Sequence, residues 1–301
     1  MKQSKHTQAY IALALVSIFW GTTYLATKIG VRHMHGMMLA GIRQSVAGII
    51  LTSFFLLRGY KLPERGMLSR LFIIGVMMLC GSNGLLTWAM HYIPSGLGAI
   101  IAATVPIWMT IFSYFLLSRN RFSLLLIVGM MIGLLGVGGI FYDYLGSLLN
   151  PDFRFGILLA FIGCLCWAFG SVLTAKWALD INFLYGAGFQ MVFSGIVMIS
   201  IATAMGYQPH VADFTIELWG SLIYLIFIGS ILSYSSYVFA LNTLPPSLAS
   251  VYAYINPIVA VLLGWLILKE RLNWVTGISC LVTLLGVYLV NYAFNKHKKA
   301  I

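Results

Sequence analysis

The sequence predicts an all-α membrane protein of ten transmembrane helices, arranged as two five-helix repeats of opposite orientation. Three observations lead there: a composition 60% hydrophobic and only 8% charged over 301 residues, a succession of nearly charge-free stretches, and a self-similarity at a shift of 151 residues. Soluble domains carry roughly 25% charged residues, so a chain this poor in charge cannot clothe a core of its own in a water-compatible surface.

The stretches lie at about 9–30, 36–57, 71–90, 96–117, 122–142, 155–176, 182–205, 218–243, 247–268 and 273–294. A helix needs about 20 apolar residues to cross the hydrocarbon core, whereas a membrane strand needs only about 9–11 and alternates in polarity. Most of these runs are continuously apolar for longer than a strand requires, so helices are expected. The first follows Lys2 and Lys5 and runs for 22 residues, beyond the roughly 7–15 of a secretory signal; it reads as an uncleaved helix. The loops at 143–154 and 206–217 are too short to hold an enzyme domain.

Charge sets the expected orientation. With the N-terminus inside, twelve of the 18 basic residues fall on the cytoplasmic side, among them Arg58, Lys61, Arg65, Arg70, Arg119, Arg121 and Lys176. Five fall outside (Lys28, Arg32, Arg154, Lys269 and Arg271), and Arg43 lies within the second stretch. That bias predicts a plasma (inner) membrane protein with both termini cytoplasmic, ending in a basic tail at 296–301. It also accounts for the net charge of +11 without nucleic acid, for which no basic stripe or aromatic-basic module is present. Cys80, Cys164, Cys166 and Cys280 all fall inside apolar stretches, so neither a disulfide framework nor a metal site is indicated.

The self-similarity aligns residues 89–108 with 240–259, with six identities in 20 positions including Pro94 with Pro245 and Pro106 with Pro257. Leu134-Leu135-Gly136-Val137 recurs as Leu284-Leu285-Gly286-Val287. The expected units are 1–146 and 155–295, each of five spans. An odd number of crossings would force the second copy to enter from the opposite side, a plan that suits alternating access.

Phe19-Trp20-Gly21-Thr22-Thr23-Tyr24, Ala40-Gly41-Ile42-Arg43, the prolines Pro106 and Pro257, and Leu268-Lys269-Glu270-Arg271-Leu272 together resemble the EamA-type members of the drug/metabolite transporter superfamily. The resemblance covers about residues 9–294. It implies a carrier with a central cavity, exporting amino acids or other metabolites. One departure is that Leu117-Ser118-Arg119-Asn120-Arg121 lacks the acid that the second half carries as Glu270.

All seven acids sit in loops or at helix ends, which argues against a cation antiporter built around a buried carboxylate. Polar and aromatic residues within the spans are the expected substrate contacts: Trp20 and Tyr24, Asn83 and Trp88, and Trp108 in the first half. The second half contributes Trp167, Ser171, Gln190, Tyr234, Tyr237, Tyr252 and Asn256. Amides and hydroxyls could replace a solute's water while rings shape an amphipathic pocket. For any single Ser, Thr or Gly, helix packing is the competing explanation; an amide in hydrocarbon is harder to dismiss, because it is costly without a partner.

Pro106 and Pro257 are expected to kink or gate their helices. Arg43 could bind a substrate carboxylate, with snorkelling or helix-end pairing as the alternative. Lys28 and Lys176 read as interfacial anchors, and His91 as a titrating or hydrogen-bonding group. The expected partners are a small-molecule solute and the lipid bilayer, with no cofactor, and the oligomeric state stays open, a monomer included. An intramembrane enzyme is the rival reading, but no metal motif, phosphate loop or intramembrane acid pair supports it. A channel would show a repeated filter segment and a scaffold larger loops, and neither is found.

Overall fold

The computed structural model describes residues 2–117, 124–142, 146, 149–209, 214–268 and 273–298. Twelve helices can be numbered among them. They are α1 (Lys2–Gly30), α2 (Gly36–Leu57), α3 (Arg65–Ala89), α4 (Ser95–Ala102), α5 (Val105–Leu117) and α6 (Leu124–Phe141). After these come α7 (Pro151–Trp177), α8 (Phe183–Ala204), α9 (Ile216–Thr243), α10 (Pro246–Ala249), α11 (Tyr252–Leu268) and α12 (Trp274–Lys298).

Local chemistry fixes the ends. Asn150 caps α7 by accepting from Asp152 N at 2.9 Å, with Pro151 in the first turn where its missing amide hydrogen costs nothing. Asn182 and Thr215 cap α8 and α9 in the same way. α2 and α8 both stop on a glycine in the left-handed region, Gly59 at φ +83° and Gly206 at φ +85°. The amides of Tyr60 and Tyr207 then reach back to Phe55 O and Ala202 O, satisfying carbonyls that the helix leaves open.

The structure corrects the expectation of ten spans in two inverted five-helix repeats. Among the described residues, six helices are long and apolar enough to cross a membrane: α1, α2, α3, α7, α8 and α9. The stretch at 96–117 is not one helix. Proline disfavours helical conformation in the residue before it and cannot donate a backbone hydrogen bond; here the chain turns at Ala103 and Thr104, with Thr104 N bonded to Ile101 O and Ile107 N to Thr104 O. Pro106 therefore opens α5, which has 13 residues, instead of bending a span midway. The stretch at 247–268 is divided likewise at Ser250 and Val251, leaving α11 with 17 residues and Pro257 within it. Among the residues whose side chains are described, the apolar runs of α6 and α12 extend over Leu124–Gly136 and Gly277–Val290.

α1 packs against α9 and α11, α2 against α8, and α7 against α3 and α5, forming one large core. α6 and α12 pair with each other at the edge, around a small cluster of Leu126, Met130, Val290 and Ala293. Large apolar side chains such as Ile11, Ile49, Phe54, Leu158 and Ile223 face outward, as lipid contact requires.

Candidate functional site

α3 and α9 each contain a π-helical segment, Val76–Gly84 and Leu225–Tyr234. A π turn skips one residue in the hydrogen-bond ladder and leaves backbone groups free for outside partners. Residues of both segments line a cavity whose atom-free space, open mouth included, is about 780 Å³. Gly229 O, in the second segment, accepts from Trp20 Nε1 at 3.0 Å. The next residue, Ser230, accepts from Arg43 Nε through Oγ at 2.8 Å.

One wall is aromatic. Trp20 of α1 meets Trp167 of α7 edge-on at 5.2 Å between ring centroids and Tyr252 of α11 at 4.9 Å. Tyr24 and Tyr234 complete it. Tyr237 and Ser171 do not line the cavity but hold it from behind: Tyr237 packs 5.3 Å from Trp20 and 5.1 Å from Trp167, and its hydroxyl bonds Ser171 Oγ at 2.8 Å. Gln190 of α8 is also behind the wall, its Oε1 accepting from the Tyr234 hydroxyl.

The cavity also has a polar lining. Arg43 and Gln44 of α2 and Asn83 of α3 line it, together with Thr23 and Ser82. Arg43 does not snorkel: it is 3% exposed, deep in the core. Gln44 is 1% exposed, and its Oε1, like Asn83 Oδ1, has no protein partner. Asn256 of α11 also borders the cavity; with its amide nitrogen turned toward the two carbonyls it faces, it donates to Ser17 O at 2.9 Å and Tyr252 O at 3.2 Å. Gln44 and Thr27 were not anticipated from the sequence. For Gln44 the signal was present, an amide beside an arginine in an apolar span.

The remaining residues lie elsewhere. Trp88 sits past the cavity against His35 and Phe155. Trp108 packs on Phe161, its Nε1 buried without a partner. His91 accepts from the amide of Gly36 at 2.9 Å through Nε2, so it caps the start of α2. It stacks on His35, which stacks in turn on Tyr207. Burial, and then the neighbouring His91, push His35 down to about 4; burial, and then Lys28, lower His91. Lys28 Nζ donates to the carbonyls of Met90 and Ile93 just past the end of α3, where a cation complements the helix dipole. Arg119, Arg121, Asp143, Asp213, Lys269, Glu270, Arg271 and Lys299 lie outside the described residues. Among the described residues no cluster of His, Cys, Asp or Glu could hold a metal ion.

The EamA-like transporter family model matches residues 7–142 and again 154–292. The chain is 37% identical over 281 residues to the uncharacterized inner membrane transporter YedA of Escherichia coli K12, covering 93% of this chain and 89% of that one. It is 30% identical over 260 residues to the protein PecM of Dickeya dadantii, covering 84% and 82%. A crystal structure of a protein 19% identical superposes with a TM-score of 0.72 over 96% of this chain and 98% of that one, a likeness of fold. The chain thus belongs to the EamA-like transporter family of the drug/metabolite transporter superfamily, a family of transporters and not of catalytic enzymes, and moves small solutes across a membrane.

Proposed function

We propose that the central cavity is the solute site of a secondary carrier, which exports small polar metabolites, amino acids and related neutral or zwitterionic solutes, by alternating access. The observation that carries this reading is the cavity itself: a space lined both by aromatic rings and by Arg43, Gln44 and Asn83. Such a space suits a solute with an apolar and a polar end. The described lining includes no carboxylate, so net cations lack the counter-charge they would need.

Alternating access draws support from the elements beside the cavity. Two π-helical segments and the α4–α5 break touch it, and each is a place where helical hydrogen bonding is already interrupted. A location in the inner membrane is supported by the printed description of YedA. The cytoplasmic excess of Lys and Arg supports placing both termini inside, and an even number of crossings brings the chain back to the side where it started.

Counterflow in proteoliposomes loaded with a mixed amino-acid and metabolite pool tests the proposal, comparing wild type with Trp20→Ala and Asn256→Ala at matched insertion. Saturable exchange lost in both variants is the expected result. Exchange that stays linear with concentration, or that both variants retain, would overturn it.

A further inference from the structure

We propose that Arg43 is the carboxylate-binding residue of this carrier, so that its solutes are organic acid anions or zwitterions whose remaining part is apolar or aromatic. The inference rests on the cavity being the solute site.

Arg43 is the one charged side chain among the described lining residues, and it is 3% exposed. Its Nε is committed to Ser230 Oγ at 2.8 Å. That bond leaves the two terminal nitrogens, the pair that meets a carboxylate side by side, with no protein partner among the described residues. The one ion pair found among those residues is His33 with Glu217, at a helix end. A guanidinium this deeply buried without an anion carries a desolvation penalty that a counter-charge would offset. Here the protein supplies a rigid cation and leaves its partner to come from outside.

The surroundings are shaped for that partner. A Cβ on Gly229 would come within 2.9 Å of Arg43 Nη2 and 3.0 Å of Thr23 Cγ2, so glycine keeps space open at the guanidinium. Gln44, next in the helix, adds a second unpartnered polar group 1% exposed; its amide can turn its nitrogen toward a carboxylate oxygen or keep its oxygen toward an ammonium. The cavity's aromatic wall, the ring cluster of Trp20, Trp167 and Tyr252, gives flat or aliphatic groups an apolar surface. A bound inorganic anion would satisfy the charge but leave that wall unused.

The test uses the full chain in nanodiscs and in proteoliposomes. Tryptophan fluorescence is titrated with four probes that share a ring and differ in charge: phenylacetate, L-phenylalanine, phenylacetamide and phenethylamine, with sodium chloride and sodium sulfate as inorganic controls. The same set is offered in counterflow. The expected result is saturable binding of the two carboxylates, weakened about 100-fold in Arg43→Gln, about 10-fold in Arg43→Lys, which keeps the charge and loses the fork, and a few-fold in Ser230→Ala. Arg43→Lys and Ser230→Ala keep the test open if Arg43→Gln fails to insert. Carboxylate binding that depends on Arg43 without flux upholds the inference and counts against the transport reading. Flux or binding of the amide or amine equal to the acids, or carboxylate binding untouched by all three variants, overturns it while leaving transport intact. Saturation by chloride or sulfate alone reassigns Arg43 to an inorganic anion and overturns it too, as does the absence of any binding.

Discussion

Two helix pairs use the same packing device to different ends. In α2 against α8, a Cβ on Gly48 would lie 2.6 Å from Val192 N, and one on Gly195 would lie 2.6 Å from Ser45 N. In α6 against α12, a Cβ on Gly286 would lie 2.5 Å from Gly133 Cα, and one on Gly129 would lie 2.8 Å from Val290 N. Backbones meet in both pairs, as small residues allow where no hydrophobic force distinguishes helix from lipid. Yet α2 carries Arg43 and Gln44 to the cavity, whereas neither α6 nor α12 contributes a described lining residue. Close packing therefore marks where two helices are held rigidly, and the polar residues on the free face decide whether that rigidity serves a site.

The largest effects are expected from hollowing out each region. Trp20→Ala should cost about 3 kcal/mol and Met130→Ala about 2–4 kcal/mol in detergent unfolding, but only the first should abolish exchange at matched insertion. Exchange lost equally in Met130→Ala would mean that the outer pair is part of the transport machinery. Next in size, Gly48→Val and Gly286→Val should each destabilise by about 1–3 kcal/mol through overpacking, with the exchange defect confined to Gly48→Val because α2 positions Arg43. Gln190→Leu tests the layer behind the wall: the Tyr234 hydroxyl loses its acceptor, a loss of about 1–3 kcal/mol, and exchange should weaken without vanishing.

The smallest expected effect is one of pH, at the end of the molecule where His91 caps α2. Both His35 and His91 are lowered in the folded protein, His35 to about 4, whereas a free histidine titrates near 6.5. Above that value both states are neutral and the contribution is constant. As pH falls from about 6.5 toward 4 the opened state takes up protons first, so the folded arrangement loses stability over that window. Protonated His91 could no longer accept from Gly36 N. The protection factor of the Gly36 amide, which divides out the slower intrinsic exchange in acid, should therefore fall on acidification below about 6.5, and His91→Asn should remove part of that dependence. A flat profile would show that Lys28, Tyr207 and the His33–Glu217 pair around the cluster hold it shut regardless of charge.

Much of the cavity was legible before the fold. Trp20, Tyr24, Asn83, Trp167, Tyr234, Tyr252 and Asn256 stood out as polar or aromatic residues in apolar spans, and all line it. Ser171, Gln190 and Tyr237 stood out for the same reason but sit one layer back, because composition does not tell which face of a helix meets a space and which meets another helix. Trp88, Trp108 and His91 are further away still. Hydropathy read 96–117 and 247–268 as spans because it counts apolar residues whether or not the backbone continues through them; the turns at Ala103–Thr104 and Ser250–Val251 made each of them two helices.

Local composition and motif order were enough to place the chain in a membrane, to make it helical and to give the family it resembles. It took the folded chain to show that, among the described residues, six helices are long and apolar enough to cross, that two π-helical segments border one cavity, and that Arg43 is buried at Ser230 instead of reaching for the interface. The physical reason is that continuity, facing and burial depend on where distant backbones approach, as Gly229 meets Arg43 across 186 residues, and no local pattern along the chain encodes that distance.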